Sequence, residues 1–303
     1  MNFVMTLTIK QIDVLMDFYK EQITTFQEGS IIARIKDKDL TISIYTSHKV
    51  MFQGKRAEEV FFFWLDTFGL KAPVTTDQTE KKPDEKSTDF YTASIGSDES
   101  GVGDYFGPLS VCAAYVDETY IDQLRKLKIQ DSKTLDDSAI REIAPRLMKI
   151  VPYSLITLPN KKYNTLIEKG HNANSLKAYL HSQVQRNVIN KTNREVPVII
   201  DQFCIKNTYM KYLANFTDPV TPDIFKIRAE SEYASVAAAS IIARYAFLYK
   251  LDKISDRIGV KLLKGASKKV DIQARTLIDK YGLSFLDTVA KVHFKTTEKA
   301  QNL

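Results

Sequence analysis

Three short segments of this chain hold residues that could do chemistry together. In SDESGVGDYFGP, residues 97–108, Asp98 and Glu99 stand side by side at the expected end of a strand, and glycines follow at 101, 103 and 107. Glycine accepts unusual backbone angles and lets a phosphate or sugar come close to the main chain. Asp201 directly follows the apolar run 196–200. Ligands of open α/β sheets gather at the carboxyl ends of strands, so a carboxylate there suits a metal ion. In KIRAESEYASVAAASIIAR, residues 226–244, Glu230 and Glu232 sit where a strand hands over to an alanine-rich helix. Small residues let a helix lie close to a sheet, which presses the acids at its start toward the strand ends. Each segment alone has an ordinary alternative: a solvated Gly-rich turn, a helix N-cap, or acids at the positive end of a helix. In combination, several carboxylates on one α/β core can hold two hard cations through oxygen ligands. Such a pair stabilises the attacking and leaving oxygens of an in-line phosphoryl displacement.

The elements that must position these residues follow from the apolar patterning. Strands are expected at 91–95, 108–116, 151–158, 196–200 and 224–228, with helices at 119–127, 138–148, 173–190, 206–214 and from about 232 onward. Strands alternating with helices imply an α/β core. The N-terminal part reads differently. Thr8 and Gln11 have capping-box spacing before apolar residues at helical intervals; strands follow at 31–35, 40–45 and 49–53, and a second helix at 56–68. Lys36, Lys38, Lys49, Lys55 and Arg56 are interleaved there with Tyr45, Met51 and Phe52. Basic residues among apolar neighbours on a small sheet suit a nucleic-acid contact. Residues 75–88, TTDQTEKKPDEKST, have linker composition. The expected organisation is a small domain at 1–70, a linker at 71–89 and a larger domain at 90–303.

Lys plus Arg is 43 and Asp plus Glu is 37, a formal charge of +6 that permits a polyanionic partner. Cys112 and Cys204 belong to no Cys/His cluster, which argues against a zinc site and against a disulfide framework. No apolar run approaches the about 18 residues of a membrane span, and MNFVMTLTIKQ has no signal-peptide pattern. The expectation is a cytoplasmic monomer with no membrane partner.

DESGVGDYFGPL resembles the signature of type 2 ribonucleases H, in which an Asp-Glu pair precedes a Gly-x-Gly turn. QDSKTL, with Ser132 and Lys133, resembles that family's D-S-K-x-L element, and AESEYASVAAASIIAR its acid-plus-helix segment. The resemblance runs from about Tyr91 into the C-terminal helices. Glu230 in place of a final Asp, Val102 where ribonucleases HII usually carry Arg, and Gly-Asp-Tyr-Phe-Gly-Pro after the turn are similar to the ribonuclease HIII branch. That branch also carries an N-terminal domain like half of the TATA-box-binding protein, which residues 1–70 resemble.

The resemblance implies a ribonuclease H-like core with a mixed sheet and flanking helices, behind a small α+β domain. It implies cleavage of the RNA strand of an RNA–DNA hybrid with Mg²⁺ or Mn²⁺, two ions acting together, leaving 5′-phosphate and 3′-hydroxyl ends. Asp98, Glu99, Asp201 and Glu230 become catalytic metal ligands, with Glu232 the substitute for the last. Gly101, Val102 and Gly103 would meet the 2′-hydroxyls that distinguish RNA, Ser132 and Lys133 would hold the hybrid near the cut, and Tyr105 would touch a sugar or base, against the commoner place of such an aromatic residue in the core. Lys49 and Gln53 would bind substrate from the first domain. The basic loop GASKK, residues 265–269, is a candidate phosphate contact; His293 is expected to be structural or on the surface. The rival readings are a ribonuclease HII-like enzyme acting at single ribonucleotides in DNA, a hybrid-binding protein without catalysis, and a nuclease for branched DNA.

Overall fold

The computed structural model describes residues 2–68, 70, 90–129 and 135–303, so the expected linker at 71–89 lies outside the described residues. The chain divides into two compact units, Met1–Lys86 with Phe203–Ile205, and Ser87–Gln202 with Lys206–Leu303.

The first unit runs β1 (Asn2–Thr6), α1 (Ile9–Phe18), β2 (Ile23–Glu28), β3 (Ile31–Asp37), β4 (Leu40–Tyr45), β5 (Lys49–Gly54) and α2 (Ala57–Phe68). The Thr8–Gln11 capping box forms as its spacing predicts. The strands make an antiparallel sheet in the order β1-β5-β4-β3-β2. β1 and β2 are additions to the sequence reading. β1 gains its strand state by pairing with β5, far along the chain, which local patterning does not reveal. One face packs on the helices: the ring of Phe61 lies 5.3 Å from Phe3 and 5.8 Å from Phe52. Strand residues alternate faces, so the opposite face carries the cross-strand rows Arg34, Ser43, Met51, Val4 and Lys36, Thr41, Gln53, Asn2, with Lys49 paired to Thr6.

The second unit runs β6 (Ser94–Ser100), β7 (Leu109–Val116), α3 (Ile121–Lys126), α4 (Asp137–Leu147), β8 (Tyr153–Leu158), α5 (Asn160–Glu168), α6 (Ala173–Thr192), β9 (Val198–Asp201), α7 (Lys206–Tyr212), β10 (Ile224–Lys226), α8 (Ala234–Ile258), α9 (Lys268–Tyr281) and α10 (Lys295–Gln301). The sheet order is β10-β9-β6-β7-β8. β6 is antiparallel to β7 and parallel to β9, giving the expected mixed sheet. β7 is buried along its whole length. Leu109, Val111, Ala113 and Tyr115 pack with Tyr163 of α5 and with Leu176, Val184 and Val188 of α6. Cys112, Ala114 and Val116 pack into the cluster that holds the alanines of α8. Helices thus cover both faces, which explains why the strand reads as a continuous apolar run.

α8 is the closest neighbour of the sheet. A Cβ on Gly96 would lie 2.3 Å from the Val236 amide nitrogen, so only glycine lets the helix start sit this near. The Ser94 and Ser235 hydroxyls share a hydrogen bond of 2.8 Å across the same contact. The small-residue run therefore does what its composition predicts. Contrary to the expectation of no span-length apolar segment, α8 is long and apolar enough to cross a membrane; 72% of that window is buried inside the protein, as in a core helix.

Candidate active site

The acid pair lies near the end of β6, as the sequence reading placed it, but still within the strand, which runs on to Ser100. Pairing with β7 continues through Asp98↔Cys112, Glu99↔Val111 and Ser100↔Ser110. Alternation then sends the two carboxylates to opposite faces. Asp98 shares the face of Gly96 and Cys112, toward α8, and accepts a hydrogen bond from Ser240 on that helix. Glu99 shares the face of Val111, toward α6.

On the α6 side, Lys177 Nζ donates to Glu99 Oε1 at 3.0 Å and His181 Nε2 lies 2.8 Å from Oε2. His181 Nδ1 is 2.8 Å from Ser97 Oγ, to which Gln185 Nε2 also donates at 2.7 Å. Burial pushes the Glu99 carboxyl up, but the Lys177 cation and the His181 contacts outweigh it and hold the group down at about 2. Sequence reading missed this support. Its signal was present: Lys177, His181 and Gln185 recur every fourth residue on one helix face, a polar stripe on a helix that must pack inward.

On the α8 side the balance is reversed. Asp98 is held well above the usual carboxylate range by burial first, then by the charges of Asp201 and Glu99. The parallel register Gly96↔Ile199 and Ser97↔Ile200 brings Asp201 abreast of Asp98 on the same face. Asp201 Oδ1 accepts the Ala229 amide at 2.9 Å, which ties the end of β9 to the single 3₁₀ turn Ala229–Ser231. That turn carries Glu230, only 6% exposed. Glu232 pairs instead with Lys226 at 3.0 Å, where both side chains are partly open to solvent. Of the two acids, Glu230 is the buried one, on the turn that Asp201 holds through the Ala229 amide.

Among the described residues no three Asp, Glu, His or Cys side chains converge into a ready cation cage. Glu99 is turned away from Asp98, its head engaged by α6. The donor set still fits hard divalent ions. It consists of carboxylate oxygens, and the mutual charge that raises Asp98 is what such an ion would relieve.

After β6 the chain turns at Gly101, whose φ of +93° and whose contacts with Pro108 and Phe247 leave no room for a Cβ. Gly103 differs: it is exposed, and nothing lies within 4 Å of where its Cβ would be, so this main chain is open to a ligand. Val102 packs its side chain against the core on the α6 side, leaving backbone groups as its means of contact. Tyr105 corrects the sequence reading. It is fully buried, its hydroxyl lies 2.9 Å from that of Thr297, and burial pushes its pKa up to about 12. The ring belongs to the core and does not face substrate, because the chain turns inward after Gly103.

The basic loop 265–269 is tied to this turn: Gly265 N–H donates to Asp104 Oδ1 at 2.6 Å, and Tyr105 N–H donates to Gly265 O at 2.9 Å. His293 is exposed and stacks on Tyr163 with centroids 5.5 Å apart. Ser132 and Lys133 lie outside the described residues. In the first unit Lys49 is exposed, and Gln53, which donates to Asn2 Oδ1 at 3.3 Å, lines an open depression with Asp39, Thr41, Gly54 and Lys55.

Residues 95–297 match the family described as Ribonuclease HII. Residues 2–79 match a domain of unknown function, DUF3378. A ribonuclease HIII of Staphylococcus aureus is 40% identical over 310 residues, covering 100% of this chain and 98% of its own. The ribonuclease HIII of Staphylococcus haemolyticus is 42% identical over 273 residues, 89% of this chain and 88% of its own. The chain belongs to the ribonuclease HIII family. It is a ribonuclease H, a hydrolase of the endonuclease kind. The solved structure of Bst-RNase HIII in complex with Mn²⁺ superposes with a TM-score of 0.69 at 35% identity, over 100% of this chain and 98% of that one. The ribonuclease H3 of Aquifex aeolicus, 22% identical with a TM-score of 0.55, shares the fold over 96% of this chain and 99% of its own.

Proposed function

We propose that the enzyme hydrolyses the RNA strand of RNA–DNA hybrids within the strand, leaving 5′-phosphate and 3′-hydroxyl ends. The observation that carries the reading is the gathering of acids at the ends of two adjacent parallel strands. Asp98 and Asp201 share the face toward α8, the Ala229 amide ties the turn that carries the buried Glu230 to Asp201, Glu99 leaves the opposite face of β6 toward α6, and the open main chain of Gly103 follows within one turn. Asp98, Glu99, Asp201 and Glu230 would hold two divalent ions, Mg²⁺ or Mn²⁺; the Mn²⁺ complex of the Bst relative supports this. When bound, such ions supply charge stabilisation to both the attacking and the departing oxygen.

The remaining work belongs to the protein's own groups. Lys177 and His181 keep Glu99 ionised and oriented. The backbone of Gly101, Val102 and Gly103 meets the ribose, where the 2′-hydroxyl separates RNA from DNA. Ser132 and Lys133 grip a phosphate near the cut, a task that suits the point charge of lysine. On the first unit, Arg34, Lys36, Lys49 and Gln53 share the sheet face turned away from its helices. Contacts from there to phosphates add salt-dependent affinity without sequence choice.

The test is cleavage of an end-labelled RNA in a hybrid with Mg²⁺ or Mn²⁺, comparing wild type with Asp98→Asn. Wild type should cut the hybrid and leave duplex DNA intact, and the variant should be slower by about a thousandfold, ~4 kcal/mol of barrier. Equal cutting by the variant would show that the site lies elsewhere. Hybrid binding without cutting would make the chain a binding protein, and a preference for a single ribonucleotide in DNA would give it ribonuclease HII-like specificity.

A further inference from the structure

Beneath the Gly-rich turn lies a lysine with no part in the chemistry above. Lys291 is 0% exposed. Its Nζ donates to the main-chain carbonyls of Asp104 at 2.8 Å and of Gly107 at 2.7 Å. Its own N–H donates to the Tyr105 carbonyl at 2.8 Å, and Gly107 N–H donates to Val289 O at 2.9 Å. Phe106 and Ala290 add an isolated antiparallel bridge. The carbonyls of Asp104, Tyr105 and Gly107 therefore all end on residue 291.

α5 completes the assembly with buried amides. Asn160 Nδ2 donates to Gly107 O at 2.8 Å. Asn164 Nδ2 donates to Ala290 O at 2.9 Å, and its Oδ1 accepts Val292 N–H at 3.2 Å, which fixes the strip that carries Lys291. Burial brings the Lys291 amine down to about 7, with Asp104 acting in the opposite sense. An unbranched apolar side chain would fill the space without that cost. What lysine adds is a donor to the Asp104 carbonyl and a second donor, beside Asn160, to the buried Gly107 carbonyl.

We propose that Lys291 is a positioning residue: its two hydrogen bonds set the height of the turn 101–107, and through it the enzyme's preference for ribose over deoxyribose. The inference rests on the reading that this turn meets the 2′-hydroxyl. Gly103 lies directly before Asp104, so a shift of the Asp104 carbonyl is passed to the open main chain beside it.

Dissociation constants of the full chain for an RNA–DNA hybrid and for DNA duplex of the same sequence, in EDTA, test it. They are read with KM and kcat on the hybrid in Mg²⁺. For Lys291→Met the expected result is hybrid affinity about tenfold weaker, duplex DNA affinity unchanged, and KM raised more than kcat is lowered. Partial unfolding would weaken both duplexes equally, so the hybrid-to-DNA ratio reports on the turn itself. Asn160→Ala, which removes the other donor to Gly107 O, should shift the ratio in the same direction by less, and it decides the matter if Lys291→Met does not fold. An unchanged ratio in a folded Lys291→Met, or in Asn160→Ala where that variant decides, overturns the inference. A wild type that cuts the hybrid yet binds both duplexes equally also overturns it while sparing the activity; a wild type that cuts no hybrid removes the parent reading first.

Discussion

Asp98→Asn exchanges one carboxylate oxygen for an amide nitrogen and leaves the shape of the side chain intact. Asp98 is 8% exposed, and burial followed by the charges of Asp201 and Glu99 raises its pKa well above the ordinary 3.8. A carboxyl whose folded pKa is raised contributes stability below its unfolded pKa and loses it as pH rises through the folded one. At pH 8 and without metal, the wild type must either hold a buried charge or keep a proton that the unfolded chain would release, and asparagine requires neither. Removing a poorly compensated buried charge is worth about 1–3 kcal/mol, and each kcal/mol moves the midpoint of a 150–250-residue domain by roughly 2–4 °C. Thermal unfolding followed by circular dichroism in EDTA at pH 8 should place Asp98→Asn about 2–12 °C above wild type. The gap should close toward pH 4, where Asp98 becomes neutral in the wild type as well. Adding Mg²⁺ should stabilise the wild type and not the variant, because a ligand that binds only the folded state raises stability by mass action. A variant that melts at or below the wild type in EDTA at pH 8 would refute the account of Asp98 as a group held against its own solvation.

Lys177→Met should have the opposite effect, costing about 3–5 kcal/mol in urea unfolding because Glu99 is left buried without its cation. Glu99 sits at about 2 in the folded protein against an ordinary 4.5, so the wild type loses that contribution as pH falls from 4.5 through 2, and the variant's stability should change less across this window. Gly96→Ala places a methyl 2.3 Å from the Val236 nitrogen, and overpacking of this kind costs about 1–3 kcal/mol; denaturant unfolding measures it. Lys49→Gln should raise KM with kcat unchanged and reduce the salt slope of hybrid binding by about 1, which a titration over ionic strength will read.

Much of this organisation was legible in the residues. The apolar runs located β3 to β5 of the first unit and the five strands of the second, and the alanine run foretold a helix pressed onto the sheet, which Gly96 then makes possible. What escaped was determined by partners distant in sequence. β1 exists because β5 pairs with it. α5 escaped because it is short and its apolar stripe of Tyr163, Leu166 and Ile167 is interrupted by the buried amides Asn160 and Asn164. The strand boundary at the acid pair was drawn too early, since Gly96, Ser97 and Asp98 look like a turn until β7 is laid beside them. That displacement decides which face each acid takes. Tyr105 was misjudged because a tyrosine near a glycine turn looks the same whether it points out or in. The support of Glu99 was spelled out in α6, but only a known partner gives meaning to a polar stripe.

The two acids of β6 answer to different reference frames. Asp98 is gauged against α8 through Ser240, as is the Gly-rich turn, whose Gly101 and Gly107 both abut Phe247 of that helix. Displacements of α8 are therefore common-mode: they carry Asp98 and the turn together and leave their difference unchanged. Glu99 is gauged against α6, on the other side of the sheet. The coordinate to which the carboxylate pair is sensitive is thus the differential slide of α6 against α8. A substitution remote from the acids reaches them to the degree that it moves one helix and not the other. Ser182, which accepts the Val220 amide at 2.9 Å and thereby ties α6 to the segment before β10, follows His181 directly and is such a point of adjustment.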